Sequence, residues 1–355
     1  ADLRTLHRMV VDNHDALVAA VNKDYGCRCA FETKFAETFM AQDAALDAIR
    51  HLKKWMKPVR RHLDPTQFPL ASAWTFPQPV GVVGVVVPWN FPIALAFQPL
   101  IGILAAGNRA MIKMSENSNH LALLLKEISP KYFPLDKLAF FEDAGGRGPQ
   151  FTALPFDHIF FTGSPATGKA VMANAAQNLT PVTLELGGKS PCVVAPDYPL
   201  RTAAERIIWA KMLNAGQICT NVDYLFLPEG RVDEFIREAK AIVNKRFPDI
   251  NNGDYTAIID QRSWDRLQAT AADAVARGAR LVDLYTGPAA DSERRIMPPR
   301  IVLDVNDDMD IMQREIFGPL LPILTYKTRE EVVDYIADHR PLAFYLFSND
   351  ADQQQ

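Results

Sequence analysis

TPVTLELGGKSP, residues 180–191, ends one α/β unit and begins another. Its first half reads as a strand, and Gly187 with Gly188 breaks it, so Glu185 is expected at the strand's carboxyl end. In open α/β sheets that end faces the ligand crevice. Upstream, from Val80, apolar runs alternate with helical periods: strand 80–87, helix 93–106, strand 109–113, helix 119–128, strands 138–142 and 158–162, helix 165–177 and strand 181–186. Apolar strands separated by helices predict a parallel sheet covered on both faces. Downstream come strand 190–195, a helix, strand 224–227, and helices near 231–246, 261–277 and 328–338. The border is expected near 186, giving domains 1–186 and 187–355. Residues 3–21 and 31–57 read as packing helices, and the proline-dotted segment 58–79 as extended and irregular.

The chain has 355 residues, 48% of them hydrophobic and 23% charged, with a net charge of −4. That is long enough for two cores, and it leaves no basic field for nucleic acid or an anionic membrane surface. No apolar stretch has the length of a transmembrane helix, and no signal peptide is visible. Cys27, Cys29, Cys192 and Cys219 form no disulfide framework, and Cys27-Arg28-Cys29 is spaced too closely for a usual zinc knuckle. Reduced thiols, no metal and a cytoplasmic location are the expectation.

Three residues of different chemistry fall where a crevice is expected. Leu200, Ala203, Ala204, Ile207 and Ile208 share one helical face, Gly216 reads as the helix stop, and Cys219 follows on the loop. Asn90, in PWNFP (88–92), directly follows an apolar strand. Glu185 is the third. Each has a plainer reading: a buried thiol, a turn residue between two prolines, and a strand-end carboxylate capping the glycine turn or pairing with Lys189. Gly163 to Lys169 fits G-x-x-x-x-G-K after a strand, but Ala170 supplies no hydroxyl for magnesium, and Pro165 spoils G-x-G-x-x-G.

PWNFP, AAGNRAMIKMSE (105–116), FFTGSPATGK (160–169), LELGGKSP (184–191), GQICT (216–220) and EIFGP (315–319), in this order, resemble the aldehyde dehydrogenase superfamily. Within it they look closest to the coniferyl and fatty aldehyde branch. Glu185 and Cys219 are separated by the family's 34 positions. The resemblance implies a Rossmann-like cofactor domain, a second α/β catalytic domain, and bridging strands within 58–79 that contribute to subunit association, hence a homodimer.

It further implies that Cys219 is the nucleophile, Glu185 the base that activates water, and Asn90 an oxyanion donor together with the Cys219 backbone N–H. A free thiol of pKa ~8.5 is only about 3% thiolate at pH 7, so Cys219 needs electrostatic help. Trp89, Gly163, Ser164 and Gly187 are expected at the dinucleotide, Lys113 and Glu116 at its adenosine ribose, and Glu315 and Phe317 at the nicotinamide ribose and ring. Without the resemblance, Lys113 and Glu116 read as solvated loop charges and Phe317 as core. A carboxylate at the ribose favours NAD⁺, with NADP⁺ as the alternative.

Three departures stand out. Met114 replaces the usual proline, and Asn221-Val222 replaces the branch's common Ala-Pro. Family chains also run on past a strand like 343–347, which suggests missing ends. Trp89, Phe91, Phe97 and Tyr224 are candidates for a substrate tunnel or for core. The expected reaction is oxidation of an apolar aldehyde to its acid. Transfer of the acyl group to coenzyme A, or a catalytically silent cofactor-binding protein, are the alternatives.

Overall fold

Short, largely apolar runs make the strands of both sheets, and apolar helical faces cover them. A computed structural model describes residues 1–339 and 341–352, so position 340 and the last three residues of the expected second domain lie outside the described residues. The chain forms two compact units, one of residues 1–21 and 33–185, the other of residues 22–32 and 186–355.

The chain opens with α1 (Asp2–Asp12), α2 (His14–Tyr25), α3 (Ala30–Thr33), a π-helical turn (Lys34–Phe39) and α4 (Met40–Trp55). The helix expected over 3–21 is thus broken at Asn13, whose side-chain amide donates to Met9 O at 2.8 Å. An amide bonded to its own helix competes with continued helix, which explains the break. Within the irregular segment two short strands, β1 (Val59–Arg61) and β2 (Ala73–Thr75), pair antiparallel.

The first sheet follows, with β3 (Val82–Val86), α5 (Ala94–Ala105), β4 (Arg109–Lys113), α6 (Asn119–Ile128), β5 (Leu138–Phe141), α7 (Gly148–Thr152), β6 (His158–Gly163), α8 (Pro165–Ala176) and β7 (Val182–Leu186). Strand order is β5-β4-β3-β6-β7, and the pairs β5-β4, β4-β3 and β3-β6 are parallel. The chain therefore leaves β3 toward opposite edges of the sheet, a topological switch point. The crevice beyond the carboxyl ends of β3 and β6 is the place for a ligand. Val85, Ile112, Leu138 and Ile159 are fully buried in this sheet. Gly84 is required by packing, because a Cβ there would stand 2.7 Å from the Phe156 ring.

In the second unit β8 (Pro191–Val194), α9 (Leu200–Met212), β9 (Tyr224–Pro228), α10 (Val232–Arg246) and α11 (Gln261–Ala276) precede β10 (Arg280–Asp283), β11 (Arg300–Leu303), α12 (Asp310–Gln313), β12 (Leu320–Tyr326), α13 (Arg329–Ala337) and β13 (Tyr345–Phe347). The six strands lie in the order β10-β11-β12-β9-β8-β13, antiparallel only at β10-β11. The α9 face expected from periodicity, Leu200, Ala203, Ala204, Ile207 and Ile208, is buried against this sheet's core. The architecture is α/β throughout, a Rossmann-like sheet plus a second, mostly parallel one. None of the described helices is long and apolar enough to cross a membrane.

Leu225 is fully buried at the centre of β9. Leu225→Ala is expected to lower the stability of this unit by about 2–5 kcal/mol, the loss of transfer energy plus a cavity. Urea unfolding followed by circular dichroism checks it, and a change under about 1 kcal/mol would mean the site collapses without a void.

Candidate active site

In the first unit the groups singled out by sequence stand at neighbouring strand ends. Trp89 and Asn90 follow β3, Lys113 ends β4, and Gly163 with Ser164 ends β6. Asn90 is buried, and the loop it sits on leads into α5, whose first N–H groups are met by a carboxylate. Glu37 Oε2 accepts from Ile93 N at 2.7 Å and Ala94 N at 3.4 Å. The π-helical turn buries Glu37 completely, and its negative charge suits the positive end of a helix.

Ser164 caps α8: its hydroxyl oxygen accepts from Thr167 N at 3.3 Å, and Pro165 occupies the first turn, where its missing N–H is harmless. A Cβ at Gly163 would lie 2.6 Å from the Phe161 ring, so only glycine fits there. The N-terminus of a twelve-residue helix at the switch point is suited to a pyrophosphate. Lys113 Nζ pairs with Asp143 Oδ2 at 2.5 Å, both side chains more than nine-tenths buried. Glu116 and Glu185 are exposed. The Lys189 ammonium is bound to Asp223 of the second unit.

In the second unit Cys219 is half-buried, while the other three cysteines are buried. Its helix ends earlier than expected, at Met212 rather than Gly216. The intervening Asn214, Ala215 and Gly216 are all left-handed, with φ of 52°, 50° and 77°. Left-handed backbone at a non-glycine costs about 1–3 kcal/mol and persists only when its surroundings enforce it.

The enforcement is visible. Glu32 Oε2 accepts from Asn214 N at 3.1 Å and from the Thr256 hydroxyl at 2.6 Å. Buried Gln217 donates to Asn214 O at 2.9 Å and Ala257 O at 3.0 Å and accepts from Ile259 N at 3.0 Å. Asn221 donates to Gly216 O at 2.7 Å, and Tyr345 Oη donates to Thr220 O at 2.5 Å. The cysteine loop is thus tied down on both sides of the sulfur. Burial raises the pKa of Glu32 despite Arg28 and these donors.

Two further motifs join this loop. A Cβ at Gly216 would stand 2.3 Å from Gly318 O, so the backbones of GQICT and EIFGP touch. Asp223 binds Lys189 through one carboxylate oxygen and Ile316 N, at 2.9 Å, through the other. Lys189 also donates to Ile311 O at 2.8 Å and Arg314 O at 3.2 Å. Glu315 lies against the glycine turn, since a Cβ at Gly187 would meet its Oε2 at 2.1 Å. Phe317 is half-buried and left-handed, φ 50°, with Arg266 donating to Ile316 O at 2.8 Å. Glu315 Oε1 is buried without a partner, an acceptor that fits a ribose hydroxyl.

The structure therefore gathers Gly187, Glu315 and Phe317 around the Cys219 loop in one unit, and Trp89, Asn90, Lys113, Gly163 and Ser164 at adjoining strand ends in the other. Phe97 and Tyr224 are core rather than tunnel lining, both fully buried. Asp223, Arg266, Gln217, Glu32 and Glu37 escaped the sequence reading, and Lys189 entered it only as a possible partner of Glu185. Two of these had a signal: Gln217 lies within GQICT, and Asp223 follows that motif three residues on.

Residues 3–355 match the model of the aldehyde dehydrogenase family. The chain is 46% identical over 355 residues to the probable coniferyl aldehyde dehydrogenase of Pseudomonas aeruginosa, covering 99% of this chain and 74% of that one. The substrate-bound AldH of Staphylococcus aureus superposes with a TM-score of 0.91 at 32% identity, over 100% of this chain and 76% of the other. A Mycobacterium tuberculosis aldehyde dehydrogenase complexed with NAD⁺ superposes with a TM-score of 0.87 at 25% identity, covering 99% and 73%. The chain belongs to the aldehyde dehydrogenase family, oxidoreductases acting on the aldehyde group.

Proposed function

We propose that this chain oxidises an apolar aldehyde, coniferyl-type or aliphatic, to its carboxylic acid with NAD⁺, with NADP⁺ as the alternative, through a thioester on Cys219. The observation that carries this reading is the clamped Cys219 loop: the loop that bears a half-buried thiol has three left-handed residues fixed by hydrogen bonds, and its Gly216 backbone packs on Gly318 of the segment that carries Glu315 and Phe317. The coniferyl relative supports the aromatic substrate, and the NAD⁺-bound relative supports the cofactor.

The dinucleotide, when bound, supplies the hydride acceptor. The chain's own groups do the rest. Cys219 Sγ attacks the carbonyl carbon, which makes it tetrahedral and able to give up hydride. The Asn90 amide and the Cys219 N–H receive the negative oxygen, each such donor being worth about 3 kcal/mol. Glu185, exposed at the end of β7, takes the proton of the water that hydrolyses the thioester. Glu315 receives the nicotinamide ribose, and the α8 N-terminus with Ser164 receives the pyrophosphate. The buried, unbridged cysteines fit a reducing cytoplasm. Exposed Phe68, Trp74 and Phe76 in the 58–79 segment fit a homodimer interface.

Cys219→Ser should reduce aldehyde-dependent NADH formation by at least about a hundredfold. Glu185→Gln should still give one rapid equivalent of NADH per chain and then stall, because the acyl group is not released. Steady turnover in Glu185→Gln would remove that residue from the hydrolytic step. Acyl-CoA formed when coenzyme A is added would replace water as the acceptor.

Burial, and then the Asp223 carboxylate, push the Glu315 carboxyl up to about 8 against the Gly188 N–H, Arg266 and Lys189. Between about pH 4.5 and 8 the unfolded chain has lost this proton while the folded one keeps it, so stability falls with rising pH across that window and levels off above it. Glu315→Gln should lack this slope. Denaturation midpoints of both proteins from pH 4.5 to 9 check it, and parallel curves would mean an ordinary carboxyl.

A further inference from the structure

Lys113 and Asp143 form an ion pair more than nine-tenths buried at the carboxyl ends of β4 and β5, and nothing in the reaction above uses the carboxylate. The pair is built from both sides. Met114 N donates to Phe141 O at 2.9 Å, extending the β4-β5 ladder one residue past its regular end and drawing the following Glu142-Asp143 toward Lys113. A proline at 114 has no such donor. On the other side Arg147 N donates to Asp143 Oδ1 at 2.7 Å. Gly145 and Gly146, with φ of 84° and 80°, turn the loop back over the lysine. A Cβ at Gly148 would lie 3.9 Å from Lys113 Nζ, so the loop closes on the ammonium.

The consequence is electrostatic. Lys113 is the cation at this strand end, and an adjacent carboxylate neutralises it. Glu116, exposed on the turn that follows β4 and bonded to Ser115 Oγ at 3.2 Å, adds a second negative charge to the same loop. A 2′-phosphate carries close to two negative charges and needs an unpaired cation with donors to spare, whereas a neutral ribose hydroxyl needs acceptors.

We propose that Asp143 is a specificity-determining residue: by engaging Lys113 it makes the adenosine site accept an unmodified ribose and reject a 2′-phosphate. The proposal rests on the reading above that Lys113 and Glu116 face that ribose. Asp143 acts on the lysine and on the field at the 2′ position, and not on the reacting aldehyde.

Calorimetric titration of the full chain with 5′-AMP and with 2′,5′-ADP, in the absence of aldehyde, tests it without reference to turnover. The wild type should prefer 5′-AMP. Asp143→Asn keeps an acceptor for Arg147 N and removes the charge, and should tighten 2′,5′-ADP about tenfold while 5′-AMP changes less than about twofold. The gain should shrink as potassium chloride rises from about 0.05 to 0.5 M, which a change in packing alone would not produce. Asp143→Ala removes the same charge with different packing and should move the ratio the same way. An unchanged ratio in both variants, with 5′-AMP binding intact, overturns the proposal. A wild type that binds neither nucleotide overturns instead the placement of the ribose at Lys113 and Glu116.

Discussion

One carboxylate, Asp223, holds three sequence-distant motifs of the second unit in register. Its two oxygens divide between the Lys189 ammonium and the Ile316 amide, so the glycine turn at 187–188, the cysteine loop and the 315–319 segment are fixed by one side chain. Such a buried ion pair adds little net stability over an apolar replacement, yet removing one partner leaves an uncompensated charge that costs about 3–5 kcal/mol. Its value here is geometric. Fully buried Lys211, bonded to Val222 O at 3.0 Å, sits in the same field, and burial lowers its pKa to about 8 even though Asp223 pulls it up. Nearby Glu315 is displaced in the opposite sense. The region is thus crowded with charges whose states depend on one another, which is the usual condition of a site built for chemistry.

The two units solve the placement of reactive groups differently. In the first, the groups sit at the carboxyl ends of parallel strands, where topology alone opens a crevice. Positioning there needs little beyond a helix cap at Ser164 and a carboxylate at the start of α5. In the second, the sulfur follows three left-handed residues, and a web of side-chain amides replaces regular secondary structure as the scaffold. Gln217 alone satisfies three backbone or side-chain roles in that web.

Much of this was legible in the sequence, for reasons that differ by element. The strands β3, β4 and β6 and the helices α5, α6 and α8 fell within a residue or two of expectation because buried parallel strands are continuous apolar runs, with Gly107 closing α5 and Ser164 capping α8. The motifs PWNFP, GQICT and EIFGP named their residues before any fold was known. What stayed hidden depends on contacts between residues far apart in the chain. Glu32 and Glu37 sit in an ordinary amphipathic stretch, and nothing in its period says that these glutamates turn inward. The early end of α9 was missed because Gly216 looked like a sufficient stop. The true break is set by Glu32 and Gln217 acting on Asn214.

Glu32 belongs to residues 22–32, which pack with a unit whose remaining chain begins at 186. On a ribosome adding about 5–20 residues per second, that segment emerges roughly 8–30 seconds before its first partners exist. Its buried glutamate, arginine and two cysteines must wait in solvent through that interval, exposed to chaperones and oxidants. Circular permutation that opens the chain just before residue 22 would reorder this schedule at the cost of the last turn of α2, and refolding yield during translation is where the difference would be felt.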